Sequence, residues 1–144
     1  IKNPIDFFDY IFIDCPPALS QSTYNAMVVA SHLLGPVQME GLSVNGLAAI
    51  LGAMEEVKNG RFALNHDLEL LGLLPVMVDE RPRIVRQAIQ YLKDTYGRKV
   101  IEHGIRRCIK VNEAQTEMTD LFHYAPYCTA ANDYSAVIKE IFGI

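Results

Sequence analysis

The apolar positions of this chain follow two rhythms. Tyr10–Asp14, Leu33–Val37, Leu68–Val78 and Val100–Ile105 are near-continuous apolar runs. Such runs predict strands of a parallel sheet covered on both faces, because a strand with one wet face would alternate. Between them the apolar residues recur at helical spacing. Val44, Leu47, Ala48, Leu51, Met54 and Val57 share one helix face; Val85, Ala88, Ile89, Leu92 and Tyr96 share the next; Tyr134, Val137, Ile138 and Ile141 repeat the pattern near the C-terminus. The order β-α-β-α-β-α-β-α implies right-handed crossovers and an α/β fold: a doubly wound, mostly parallel sheet with helices on both faces. No internal repeat, low-complexity tract or linker interrupts it, so residues 1–144 are expected to form a single domain.

Composition narrows the class. Half of the 144 residues are hydrophobic, enough for one domain to bury roughly two-thirds of its unfolded surface. No run reaches the ~18 uninterrupted apolar residues that span a bilayer, and no basic stretch precedes an apolar signal core. A soluble cytoplasmic protein is expected. Cys15, Cys108 and Cys128 are odd in number and widely spaced, with no C-x-x-C and no histidine at metal spacing, which argues against a disulfide framework or a zinc site. His32, His66, His103 and His123 show no ligand or triad spacing. The chain starts with Ile1 rather than Met and enters its first predicted strand at Tyr10; a piece of a longer protein is expected.

Charge is unevenly distributed. The formal net charge is −4, which read globally argues against a nucleic-acid binder. Between Arg81 and Lys110, however, stand nine of the thirteen Lys and Arg residues, at 81, 83, 86, 93, 98, 99, 106, 107 and 110, against only Asp94 and Glu102. That segment carries +7 and the remainder −11. On the helix after Pro82, Arg86, Gln90 and Lys93 fall opposite the apolar stripe and are expected to face solvent. Such a face is either simply solvated or a footprint for phosphates.

The stretch DYIFIDCPP, residues 9–17, ends a predicted strand on a carboxylate. Ligands of doubly wound sheets bind outside the carboxyl ends of the strands, where Asp14 is expected. Apolar residues followed by Asp also form the second nucleotide motif of P-loop NTPases, whose Asp holds Mg²⁺. On these residues alone, an Asp that merely caps the next turn stays open as the alternative.

Downstream stretches add to that pattern. GPVQ closes the second predicted strand ahead of Glu40, and LLGLLPVMVDERP, IRRCIKVNEA and YAPYCTAANDY follow. In this order and spacing they resemble the ParA family of chromosome and plasmid partition ATPases (the MinD/ParA superfamily of P-loop NTPases). Members of that family read approximately YDYIIIDCPPSL, PVQ-E, M-D-R, I-R-N-V-L-EA and Y-P-S-GA-DY. The resemblance covers essentially the whole chain.

It implies roles position by position. Asp14 matches the Asp that helps hold the Mg²⁺ of ATP through a water, and Cys15, Pro16 and Pro17 match the start of the second switch segment. Mg²⁺ is hard, keeps several waters and needs few carboxylates. Gln38 and Glu40 match positions near the nucleotide-dependent dimer interface, and Met77 and Asp79 lie where the third motif passes the base side of the nucleotide. For Glu40 a solvated helix start, and for Met77 plain core packing, are the alternatives. Arg81 and Arg107 match basic residues that serve sequence-independent DNA binding, and Arg83, Arg86, Arg106 and Lys110 extend the same basic segment. The chain departs from the family at Cys108, where Asn is usual, and at Arg106, where many members have Pro.

A larger departure concerns the phosphates. The sequence contains no G-x-x-x-x-G-K-[ST] and no Gly-Lys pair. Without that loop no row of backbone N–H groups cradles phosphates and no lysine offsets their charge. The chain as it stands is therefore expected not to hydrolyse ATP and reads as the C-terminal part of a ParA-like ATPase domain. For the intact protein the resemblance implies ATP and Mg²⁺ as cofactors, ATP-dependent homodimerisation, nonspecific DNA binding in plasmid or chromosome segregation, a ParB-like centromere-binding partner and association with the nucleoid. The alternatives are a degenerate DNA- or partner-binding module without turnover, and a MinD-like positioning ATPase. The latter would attach to membranes through a basic amphipathic C-terminal helix, whereas DYSAVIKEIFGI has Lys139 as its only base. No membrane contact is expected.

Overall fold

The computed structural model describes residues 7–39, 44–61, 63–79 and 81–144. Its elements are α1 (Gln21–Val29), β1 (His32–Gln38), α2 (Val44–Asn59), β2 (Glu69–Val78), α3 (Arg83–Tyr96), a 3₁₀ turn (Gly97–Lys99), β3 (Ile105–Arg106), α4 (Ile109–Thr116), α5 (Leu121–Tyr124) and α6 (Thr129–Phe142). They fall into two compact units: the described part of Ile1–Ser31 with Ala48–Leu68, and that of His32–Leu47 with Glu69–Ile144.

The second unit holds a parallel sheet in the order β1-β2-β3, with helices in the connections, as a doubly wound α/β fold requires. β1 pairs with β2 from His32 opposite Glu69 to Gln38 opposite Val76. β2 pairs with β3 through Val76–Ile105 and Val78–Arg106. Gly72, Leu73, Leu74 and Pro75 are buried in succession, as the continuous apolar run predicts for a strand covered on both faces. Gly72 is required there: a Cβ would stand 2.8 Å from Cγ1 of Ile101. Leu74, Ile101, Ile105 and Val137 form a buried cluster, with Leu34, Val76 and Ile141 packed against it, so α6 covers the sheet with Val137 and Ile141 of its predicted apolar stripe, while Tyr134 and Ile138 are exposed and Ala130, Ala131 and Asp133 are buried instead. On α3 that stripe sinks Val85 and Leu92 almost completely, each worth about 1.5–3 kcal/mol. Arg86, Gln90 and Lys93 are exposed, as expected. Gly97, at φ 56°, ends α3 by donating its N–H to the Lys93 carbonyl, a conformation glycine adopts without steric cost.

In the first unit, α1 starts at Ser20, whose hydroxyl accepts from the Thr23 N–H at 3.4 Å. Asn65 reaches back to its other end and donates to the Met27 and Ala30 carbonyls at 2.9 and 2.7 Å. Those carbonyls lack partners within the helix, so one side chain closes the loop after α2 onto α1. Ala53, Met54 and Val57 bury the face of α2 in this unit.

Two predicted strands differ in the structure. Residues 10–14 carry no ladder, and Tyr10, Ile11, Phe12 and Ile13 are 50–76% exposed. An apolar run becomes a strand only when its backbone donors and acceptors join a ladder, and among the described residues no ladder includes residues 10–14. Asp14 is consequently an exposed residue of an irregular segment, not a strand end. The run Val100–Ile105 is likewise broken. Val100 bridges to Leu73 and Ile105 begins β3, while between them the Glu140 carboxylate accepts from the N–H groups of Glu102 and His103 at 2.7 and 3.1 Å. A side chain of α6 thus takes the donors that a ladder would have used. α1 fills the helix place between the first two predicted strands, although no apolar face marked it, and α4 and α5 are elements that the predicted order did not contain.

Candidate functional site

The basic segment converges where β2 and β3 end. Val78, Asp79, Arg81, Arg106, Arg107 and Thr129 line one open concavity of about 340 Å³, outside the carboxyl ends of two parallel strands, where doubly wound folds place ligands. Its floor follows from strand pairing: the Arg107 N–H donates to the Val78 carbonyl at 3.2 Å, which sets Arg107 beside the residues leaving β2.

Two of the three arginines are oriented by carboxylates. Arg81 grips Asp79 through Nε at 2.8 Å and Nη2 at 2.5 Å, and its backbone N–H donates to the same carboxylate at 3.2 Å. The Arg81 hydrogen bonds hold the Asp79 carboxyl down at about 2, and Asp79 in return raises the Arg81 guanidinium. The Arg81 side chain is nevertheless 89% exposed. Arg106 turns to α6, where Asp133 is only 8% exposed. Its backbone N–H donates to Asp133 Oδ2 at 3.0 Å, Nε to the same oxygen at 2.9 Å and Nη2 to Oδ1 at 2.6 Å. Burial pushes the Asp133 carboxyl up, but the Arg106 side-chain and backbone hydrogen bonds outweigh it and hold the group below its ordinary value.

The remaining predicted basic residues surround this centre unequally. Arg86 donates through Nη1 to the Arg81 carbonyl at 3.2 Å, bracing that corner. Arg83 is exposed on the first turn of α3. Lys110 pairs with Glu113 at 2.7 Å and lies 5.9 Å from the Tyr124 ring centre, while the Tyr124 hydroxyl donates to Glu113 at 3.0 Å. Glu113 raises the Lys110 ammonium, and Lys110 and then Tyr124 lower the Glu113 carboxyl.

Of the nucleotide-side residues, Met77 and Asp79 flank Val78 at the edge of the concavity. Met77 adopts φ 54° and is 47% exposed, at the register shift between Val76 and Val78. Left-handed backbone is uncommon for a long side chain and marks local strain. Packing in the core, the alternative reading of Met77, does not fit that exposure. Gln38 is exposed at the end of β1. Glu40 lies outside the described residues. Asp14, Cys15, Pro16 and Pro17 belong to the first unit, with Pro17 in a bend and Cys15 donating to the Ile13 carbonyl at 3.7 Å. Among the described residues no group of three or more metal-ligating side chains is assembled, and a single exposed carboxylate such as Asp14 fits a Mg²⁺ that keeps most of its waters.

Residues that sequence reasoning missed are Asp133 and Thr129. Asp133 was detectable: with Ala130 and Val137 it falls on the buried face of α6, and a carboxylate there demands a partner. Thr129 offered no pattern.

A family model described as "AAA domain" matches residues 1–70. The chain is 30% identical over 136 residues to the "Chromosome-partitioning ATPase Soj" of Treponema pallidum and 34% identical over 134 residues to its namesake in Thermus thermophilus, covering 94% and 93% of this chain and 53% of each relative. With the "Sporulation initiation inhibitor protein Soj" of Bacillus subtilis the identity is 33%, over 93% of this chain and 52% of the relative. The chain thus spans about half the length of the curated relatives it matches. A solved cobyrinic acid a,c-diamide synthase from Mycobacterium smegmatis with bound ADP and magnesium superposes on 72% of this chain and 41% of its own, at a TM-score of 0.63 and 33% identity. Another structure of that enzyme covers 91% and 47%, at a TM-score of 0.61 and 26% identity.

Proposed function

For a chain that belongs to the ParA/Soj-like members of the MinD/ParA family of P-loop ATPases, we propose that the whole protein is a partition ATPase that binds DNA without regard to sequence. The observation that carries the DNA reading is the concavity at the ends of β2 and β3, where Arg81, Arg106 and Arg107 meet within the most basic segment of an acidic chain. Asp79 occupies the Nε and Nη2 edge of Arg81 and leaves Nη1 for a phosphate oxygen. Arg106 is committed to Asp133 and acts as the post that fixes the β3 corner. Arg107 and Arg81 are the contacts, with Arg83, Arg86 and Lys110 adding to the field around them.

Asp14 is suited to hold Mg²⁺ through a water, the bend at Pro17 to respond to the nucleotide, and Gln38, Glu40, Met77 and Asp79 to lie near nucleotide or the dimer interface. Mg-ATP, when bound, supplies the reactive γ-phosphoryl group and its charge neutralisation. A second copy of the chain, nonspecific DNA and a ParB-like centromere-binding protein are the partners of this reading, and the nucleoid is its location.

Contacts to phosphates position without reading bases. In the full-length protein, Arg81→Glu and Arg107→Glu are expected to lower affinity for duplex DNA while Mg-ATP binding is retained. Each phosphate contact removed flattens the log–log salt slope by roughly 0.9. Equal DNA binding by wild type and both variants across a salt titration would sink the assignment.

A further inference from the structure

Arg81 faces the concavity with one edge of its guanidinium already taken. The Asp79 carboxylate accepts from Nε at 2.8 Å and from Nη2 at 2.5 Å. Its two oxygens stand against that edge as two phosphate oxygens do in a bidentate contact. The Arg81 backbone N–H donates to Oδ1 of the same carboxylate at 3.2 Å, and Arg86 Nη1, from α3, donates to the Arg81 carbonyl at 3.2 Å. The backbone of Arg81 is thus held on both sides, and the choice of partner belongs to its side chain.

The two carboxylate–arginine pairs of the concavity differ in burial. Asp133 is almost wholly buried on α6, so Arg106 cannot leave it without stranding a charge. The Arg81 side chain is 89% exposed, and an ion pair so open to solvent is weakly held and can exchange its anion. The hydrogen bonds from Arg81 keep the Asp79 carboxyl down at about 2, so at neutral pH Asp79 competes for the guanidinium as a full anion.

We propose that Asp79 is an internal stand-in for a DNA phosphate: it occupies the bidentate edge of Arg81 in the free protein, and DNA gains that contact only by displacing it. The inference rests on the DNA reading of the concavity and adds its regulation. Asp79 lowers the affinity for DNA, and its carboxylate closes back onto Arg81 as a phosphate leaves.

The test is a double-mutant cycle on the full-length protein at saturating Mg-ATP, with affinity for a duplex read across a salt series. Asp79→Asn and Asp79→Ser both keep an acceptor for the Arg81 N–H and remove the carboxylate. Each is expected to bind several-fold more tightly than wild type, with a log–log salt slope steeper by up to roughly 0.9, the share of one phosphate contact. In an Arg81→Ala background the same substitutions remove charge but release no guanidinium; the gain is expected to shrink and the slope to stay. Asp94, which accepts from Gln90 at 2.7 Å, lies about 16 Å along α3 from Arg83, beyond the screening length at physiological salt. Asp94→Asn, the same loss of charge, is therefore expected to bind like wild type.

No gain in either Asp79 variant, equal gains with and without Arg81, or a gain as large in Asp94→Asn would each overturn the proposal. Arg107→Glu reports on the DNA reading separately. If it weakens binding while the Asp79 cycle is flat, this inference alone falls; if it binds DNA as wild type does, the concavity is not the DNA site and both fall.

Discussion

Asp133 illustrates how much one carboxylate on a buried helix face commits. It gathers the Arg106 backbone N–H and the Nε and Nη2 edge of its guanidinium, so its loss strands donors on β3. Asp133→Asn is expected to destabilise the protein by about 1–3 kcal/mol at neutral pH in urea denaturation, the range for leaving a charged hydrogen-bonding group short of its partner. The pH dependence follows from the lowered carboxyl of Asp133. Its folded value lies below its unfolded one, so the pair stabilises above the ordinary carboxylate range and that contribution is lost as pH falls through the folded value. The difference between wild type and Asp133→Asn should therefore shrink on acidification below the ordinary carboxylate range. A gap that stays constant with pH would assign the loss to packing instead. Sequence position made the burden of Asp133 visible but not its partner, because Arg106 sits on another element and periodicity carries no tertiary pairing. For Asp14 the motif was legible, while its exposure was not.

Among the elements, those recovered from the apolar pattern are the ones whose stability comes from a buried stripe: α2, α3, α6, β1 and β2. α1 and α5 depend on caps, Ser20 and Asp120, and α4 buries only Ala114, so none of them shows a hydrophobic period to read. The apolar run ahead of Asp14 erred in the opposite direction, having strand composition without ladder partners. Two substitutions test the joints described above. Gly72→Val on β2 places side-chain atoms where Ile101 and the Lys99 carbonyl already lie and is expected to cost about 1–3 kcal/mol by overpacking. Asn65→Ala removes both bonds to the end of α1 and is expected to cost about 1–2 kcal/mol, with faster hydrogen exchange confined to α1 at first. Unchanged denaturation midpoints would show that these contacts are not tight in solution.

For the molecule as a whole, the average charge concealed the feature that matters. A chain of net charge −4 carries a +7 segment, and the fold brings its two ends, Arg81 after β2 and Arg106–Arg107 at β3, to one concavity by parallel pairing of strands far apart in sequence. The segment's charge was legible; that two of its arginines are oriented by Asp79 and Asp133 was not, since both acids lie outside it. The ordered motifs carried the family resemblance before any geometry, although the first of them, residues 9–17, lies in an irregular segment and not at a strand end. The most direct measurement is the salt dependence of binding by the full-length protein, with Mg-ATP, to two duplexes of unrelated sequence. Equal affinities at each salt concentration, falling along a common log–log slope of roughly −0.9 per phosphate engaged, are predicted. A preference between the sequences, or an affinity indifferent to salt, would contradict the account.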